Sequence, residues 1–336
     1  MQHKKSIIIL WLIIISFTAC KTDDNKTTII SNFPKESQPD ITAIQTAPVL
    51  LAPEEMFITN NQIWVFQSRK DTLFDVFELP DCNYLYSTGL KGQGPNDFIF
   101  PIGNTIQVTN EGFTILDMNI VKFIEPRPDG SLNVTHSVKA FDNVPVNGFI
   151  RLNDSINCAF TGCGDGSKSN YEYQIKNVNT NDVNKFSDYP SLTEKEFEGD
   201  ERCQIYYKHL TANSKKEKLA AFYSFFKYFR IFTSDGYLEK QIYVKIPPYK
   251  SDNVEDWTKR MVYYGPPVST NQFIYAPCMG NEIQVWDWNG NPIIRYSLNQ
   301  TFRTFTVCEN TKIIYFISAK EENENKIFSF NLSHIH

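Results

Sequence analysis

The chain has 336 residues, 33 basic and 38 acidic side chains, and a net charge of −5. A nucleic-acid partner is excluded, since a phosphate backbone wants a basic field. The length suits one large β domain or two ordinary ones, and 26 Phe, 17 Tyr and five Trp provide ample core.

The N-terminus reads as an export signal. Lys4 and Lys5 precede an unbroken apolar run, Ile7–Ile15, and then Ser16-Phe17-Thr18-Ala19-Cys20. A basic start, a short apolar core and a small residue before a break are the parts of such a signal. The run is too short for a membrane span, which needs roughly 20 apolar residues. The break before Cys20 resembles a bacterial lipobox, with Phe17 where Leu is usual. That resemblance implies cleavage before Cys20 and lipid on its thiol, so the expected anchor is Cys20 in a membrane. Residues 1–19 are then the signal peptide, and their loss takes the net charge to −7. Asp23-Asp24 resembles the surface-export signal of Bacteroidetes lipoproteins. The expected location is the bacterial outer membrane, surface-exposed or periplasmic. Residues 20–40 are polar and read as a flexible tether.

From residue 41 to 336 the chain reads as one all-β domain. Runs of Ile, Val, Phe and Tyr alternate with polar turns. No amphipathic helix of ordinary length is visible. Hairpin dipeptides recur at Asp129-Gly130, Asp235-Gly236 and Asn289-Gly290, with a period near 53 residues. Asn179–Asp182 fills the missing place. The strands before these turns align: Leu73–Glu78, Val121–Ile124, Tyr173–Lys176, Phe229–Phe232, Ile283–Trp286 and Ile327–Phe330. Six units of four strands predict a six-bladed β-propeller. The sixth unit ends after its third strand, which would leave an open edge. Ile41–Leu51 is available to fill it as an outer strand and close the ring.

Gly89-Leu-Lys-Gly92-Gln-Gly94-Pro95-Asn96-Asp97-Phe98 leads into the second unit. With Gly112–Asp117, Val121–Phe123 and Asp129-Gly130 it resembles an NHL-type repeat. More closely, it resembles the TolB-like six-bladed propeller lipoproteins of Bacteroidetes, with Asn96-Asp97 in place of the usual Gly-Glu. The resemblance implies the fold and no activity. Read from its own residues, Gly92 and Gly94 allow positive φ or close backbone approach, Pro95 halts pairing, and Phe98 is a plug between blades. The segment lacks the Gly-Lys-Ser/Thr ending and the helix of a phosphate-binding loop.

Six cysteines besides Cys20 permit disulfides, in any of 15 pairings, or buried free thiols. Two connections are long for a compact domain, Asp188–Leu210 and Ile246–Ser269, and such loops often carry function. The first is acidic. The second holds Tyr249, Trp257, Arg260, Tyr263 and Tyr264, residue types that anchor partners and also pack as lids. These five are the candidate contact residues. Asp71-Thr72-Leu73 and Asp154-Ser155-Ile156 resemble Bacteroidetes O-glycan acceptors at Thr72 and Ser155. No catalytic constellation emerges, and no cofactor or metal is expected. Lys215 and its neighbours form the most basic turn, read as a solvated hairpin. The expected role is a binding or scaffold module contacting an envelope protein or a glycan. A carbohydrate- or peptide-binding surface lipoprotein is one alternative, and a hydrolase or lyase with its site at the channel mouth, carried by His209 or a carboxylate, is the other.

Overall fold

The computed structural model describes residues 26–142, 148–161, 164, 168–213, 215, 217–247 and 254–332. Among these, the strands form six sheets arranged as blades. Blade 1 holds Glu55–Thr59, Gln62–Phe66, Thr72–Glu78 and Asn83–Leu90, from the axis outward. Blade 2 holds Pro101–Val108, Phe113–Asp117, Ile120–Pro126 and Leu132–Lys139. Blade 3 holds Ile150–Arg151, Ile156–Phe160, Tyr171–Asn177 and Val183–Asp188. Blade 4 runs from Lys208–Ala212 through Lys218–Tyr223 and Tyr228–Thr233 to Leu238–Val244. Blade 5 runs from Val268–Ser269 through Phe273–Cys278 and Glu282–Asp287 to Pro292–Ser297. Blade 6 takes Phe302–Cys308, Ile313–Ser318 and Lys326–Asn331 from the C-terminus, and Thr42–Gln45 from the N-terminus.

The fourth strand of blade 6 pairs antiparallel with the third, Thr42 opposite Ser329 and Gln45 opposite Lys326. The ring therefore closes as the sequence predicts. Each inner strand approaches the next around the axis, and Phe302–Cys308 returns to Glu55–Thr59. The periodic strands are the third strands of the six blades. Their turns need left-handed backbone, and Gly130, Gly236 and Gly290 supply it with φ of 84°, 91° and 79°. A β-bulge follows the same register in several blades, at Phe123/Ile124, Ile231/Phe232 and Val285/Trp286.

The polar segment expected as a free tether is strand in part. Thr27–Ile30 adds to blade 4 parallel to Leu238–Val244, and Glu36–Ser37 adds to blade 5 parallel to Pro292–Ser297. Between them Phe33 is buried, with its ring 4.8 Å from Trp286. One large aromatic side chain thus holds a segment whose remaining residues are polar or half-exposed, burying it for roughly 2 kcal/mol or more. The chain wraps the rims of blades 4, 5 and 6 before entering blade 1. Residues 1–25, Cys20 among them, lie outside the described residues.

The blade interfaces are aromatic. Phe98 is fully buried with Phe57, Trp64, Phe74 and Phe113 between blades 1 and 2, as a plug. Its loop is held from within. The Gly94 N–H donates to Asp97 at 2.9 Å, and the Ile99 and Phe100 N–H groups donate to the buried Asp117 carboxylate. Lys122 Nζ completes the site, 2.7 Å from Asp117. A Cβ at Gly94 would lie 2.7 Å from Asp97 Oδ2, which explains that glycine by close approach rather than by φ. The amides of Gly94, Ile99 and Phe100 are thus taken up by protein carboxylates, and that of Gly92 by Phe98 O.

Candidate functional site

Three-strand hairpins fix the two faces of a propeller. The connections between blades and the turns between second and third strands emerge together on one face. The other two hairpin turns of each blade emerge on the opposite face. Hydrogen bonds in blade 4 mark both: Tyr263 N–H donates to Ser224 O on the connection face, and Ser234 N–H donates to Glu217 O on the hairpin face.

On the connection face the two long connections join. Phe197, Ile205 and Tyr206 of the first and Val254 of the second share a small core with Tyr223 and Tyr228 of blade 4. The first connection contains a short helix, Gly199–Ile205, which the sequence reading missed. Asp200 and Glu201 in its first turn favour it through the helix dipole, and Cys203 and Ile205 bury its inner side. Asp200 accepts from Gly164 N–H at 2.6 Å, and Lys168 pairs with Glu198 at 3.0 Å. The acidic connection is therefore an ordered cap.

The candidate contact residues separate. Trp257 is 79% exposed, the most exposed large apolar side chain described. Arg260 turns inward, donating from Nε to Val254 O and stacking over Phe225 at 5.3 Å. Tyr263 and Tyr264 are buried between blades 4 and 5, which corrects their reading as contact residues. Tyr264 donates to Gln284 Oε1 at 3.0 Å and meets the Phe222 ring edge-on. Burial of an aromatic side chain removes more apolar surface from water than any other available choice, and the Tyr263-Tyr264 pair caps the gap between two blades. Tyr249 and Cys20 lie outside the described residues. Thr72 opens the third strand of blade 1, partly buried. Ser155 lies in a blade 3 turn, accepting from Asn179 Nδ2 at 2.9 Å.

The central channel is the second candidate, at whose mouth the sequence reading set its alternative enzyme site. It has a volume of about 440 Å³ and draws on the inner strand of every blade. Much of its polar lining is spent on holding blades together. Gln107 and Arg151 exchange two hydrogen bonds across blades 2 and 3, and Thr211 donates to Ser269 across blades 4 and 5. Glu55 of blade 1 and His209 of blade 4 are different. Neither side chain hydrogen-bonds another group among the described residues. Burial, with the neighbouring Glu54 adding to it, pushes the Glu55 carboxyl up to about 8. Burial pushes the His209 imidazole down to about 4. At neutral pH the carboxyl is largely protonated and the ring is neutral. The channel thus offers a donor on one wall and an imidazole on another, with no net charge from either. Such a site suits a small neutral polar ligand. In the sequence His209 stands out as one of few histidines, whereas Glu55 is one carboxylate among many.

Beside the channel, Lys208 turns away into the interface of blades 3 and 4. Its Nζ lies 2.6 Å from Glu172, inside a cage of Phe160, Tyr173, Tyr189 and Tyr223 rings. Arg230 and Tyr223 bond the same carboxylate, and Arg230 continues to Tyr228, Ser187 and Gln241. Burial lowers the Lys208 pKa while Glu172 opposes it. The Lys208, Arg230 and Tyr223 groups all find the Glu172 carboxylate, so the network reads as a structural one. Of the cysteines, Cys82, Cys158, Cys278 and Cys308 are free and buried. Cys203 is disulfide-bonded, its partner lying outside the described residues. No group of three or more metal-ligating side chains occurs among the described residues.

No family profile matches the chain, and no curated protein does. Solved structures match its fold. A candidate exported protein of Bacteroides fragilis NCTC 9343 is 13% identical, with a TM-score of 0.58 over 90% of this chain and 99% of the other. A DUF4221 family member from Bacteroides vulgatus is 12% identical, with a TM-score of 0.57 over 88% and 96%. U3-55K is 7% identical, with a TM-score of 0.52 over 87% and 98%. At these identities the likeness is one of fold.

Proposed function

We propose that this chain is an exported, lipid-anchored propeller of a bacterial envelope, serving as a binding or scaffold module through its connection face. The observation that carries the reading is Trp257, held almost fully in solvent above a cap that is otherwise well packed. An exposed Trp on an ordered support is the kind of residue that anchors a partner at low entropic cost. The fold likeness to an exported-protein candidate from Bacteroides fragilis supports the envelope location. The Gly92–Phe98 segment supports a place among the TolB-like lipoprotein propellers. In-cell cross-linking of the tagged protein, followed by mass spectrometry, tests the scaffold role. The expected result is a dominant envelope protein linked through residues 188–207 or 254–267, with at least a tenfold loss of that partner in Trp257→Ala and an unchanged melting temperature. Recovery of the same partner by the variant refutes the contact.

A second reading is favoured by Glu55 and His209. A carboxyl held protonated and a neutral imidazole on facing elements of one channel suit a neutral glycan or peptide group, and the pair also resembles the protonation states of an acid and a base. A screen that finds no ligand retained by the protein, or one retained equally by Glu55→Gln and His209→Gln, removes this reading. Thr72 and Ser155 remain the proposed O-glycan acceptors.

A further inference from the structure

Every blade ends in an outermost strand with a neighbour on one side only, and such edges take further strands. The chain itself adds one to blade 4 and one to blade 5. The edges then left open differ. On blades 4, 5 and 6 the outermost strands are four, two and four residues long. Short edges give another strand little to pair with. Blade 3 offers Val183–Asp188, with Lys185 inside it and Ser187 in left-handed backbone at φ 61°. Its last carbonyl, Asp188 O, already accepts from Arg230. Blade 2 offers Leu132–Lys139, where Asn96 Oδ1 takes the Val134 N–H at 2.9 Å and Lys139 adds a charge.

Blade 1 has none of these guards along most of its edge. Asn83–Leu90 is eight residues long and holds no charged side chain. Among the described residues no strand pairs with its outer side. Tyr84, Leu85 and Leu90 are exposed on it. Asn83, Ser87 and Thr88 are polar but neutral, so they repel no incoming strand. A bulge leaves Leu85 without a partner on the neighbouring strand, and beyond it Tyr86, Ser87, Thr88 and Leu90 keep regular register with Val76, Asp75, Phe74 and Thr72. A long edge without charge is a template for pairing.

Charges at the two ends say which strand fits. Glu78 and Asp81 are exposed at the hairpin end. Lys91 and Arg69 are exposed at the connection end, with Asp71 offsetting one of them. A second copy of the same strand, laid antiparallel, brings the acidic end of each to the basic end of the other. Laid parallel, it would set like charge against like.

We propose that blade 1 is a dimerisation site, where the Asn83–Leu90 strands of two copies pair antiparallel and join two four-stranded blades into one eight-stranded sheet. The backbone groups of each edge satisfy those of the other, and Tyr84, Leu85 and Leu90 lose solvent. The strand runs from the hairpin face to the connection face, so the two connection faces look in opposite directions. The dimer then carries its two Trp257 caps on opposite sides.

Sedimentation velocity of the full chain in a neutral detergent, across a wide range of concentration, tests the dimer. A monomer–dimer equilibrium is expected. Leu85→Lys sets like charges together at the seam and is expected to weaken the dimer about tenfold or more, with the melting temperature unchanged. Lys91→Glu is expected to weaken it as well, and Asp81→Lys combined with Lys91→Glu to restore it. A wild-type chain that stays monomeric overturns the proposal, whether the edge is empty or filled by residues 1–25 or another protein. So does a dimer indifferent to Leu85→Lys. If Leu85→Lys lowers the melting temperature, the charge exchange decides, and a dimer that the double variant does not recover overturns the pairing. Direction is read with a short bismaleimide on a mixture of two tagged copies, one Asn83→Cys and the other Leu90→Cys. The expected bridge joins the two kinds. Bridges that join only copies of one kind overturn the antiparallel arrangement.

Discussion

Blades 4, 5 and 6 differ from blades 1, 2 and 3 at the rim. Blades 4 and 5 each gain a fifth strand from the N-terminal segment, and blade 6 takes its fourth strand from it. Blades 1, 2 and 3 end in their own outer strands, Asn83–Leu90, Leu132–Lys139 and Val183–Asp188, with nothing laid on them. A bare edge offers unpaired backbone groups to any strand that meets it. The bare strands of blades 2 and 3 are mostly exposed and interrupted by polar side chains, whereas the sheathed half buries Phe33 against Trp286. One ring thus protects its edges in two ways, by covering and by polarity. The halves are joined differently as well. Blade 6 meets blade 1 through an apolar core with Met56, Ile63, Tyr315 and Ile327, and blade 3 meets blade 4 through the Glu172 network.

Deleting Ile41–Leu51 strikes the difference hardest. It strips blade 6 of its outer strand and removes Leu50 from the core of the closing interface. A loss of several kcal/mol, or roughly 10 °C or more in melting temperature, is expected in thermal denaturation. An unchanged midpoint would break the closure account. Next comes Glu172→Ala, which leaves Lys208 and Arg230 buried without their carboxylate. About 3–5 kcal/mol should be lost in urea titrations. A loss below about 1 kcal/mol would mean that the seam relaxes or admits water. Phe33→Ala should cost about 3 kcal/mol, the usual cost of emptying a buried Phe site. It should also speed hydrogen exchange at Thr27–Ile30 while leaving Thr42–Gln45 protected. Loss of protection at both would show that the strap acts as one unit.

The smallest effects are in pH, and they too divide between the halves. Glu55 in blade 1 binds its proton more tightly folded than unfolded, so its contribution to stability falls as pH rises from about 4.5 to about 8. His209 in blade 4 binds its proton less tightly folded, so its contribution falls as pH drops from about 6.5 to about 4. Glu55→Gln should flatten the alkaline arm of a stability-against-pH curve, and His209→Gln the acid arm. A curve unmoved by either would place both groups in free contact with water.

The third strands were legible because each pairs an aliphatic–aromatic run with a turn whose glycine needs positive φ. Inner strands were less so. Those of blades 3 and 5 have two residues each, too short for any alternation to register. The strap was hidden for another reason: strands laid in parallel on a rim need only one buried anchor, and Thr27-Thr28 looks like tether. In the second long connection, composition flagged the right aromatics without their direction. Trp257 faces solvent and Tyr263 and Tyr264 fill the core, since one chain's composition says how much apolar surface exists and not which side of a backbone it leaves. His209 was legible as a candidate and Glu55 was not, as only ring closure brings blades 1 and 4 around one channel.

The borrowed strand also sets a timetable. Thr42–Gln45 leaves the ribosome among the first residues and pairs with Lys326–Asn331, among the last. Joining the two ends of so long a chain is the costliest loop to close, and it comes after every local hairpin has had its chance to form. A chain whose synthesis has not reached Lys326–Asn331 therefore has blades but no ring. Loss of Lys326–Asn331 would leave Thr42–Gln45 without its partner and the ring open, rather than a shorter propeller.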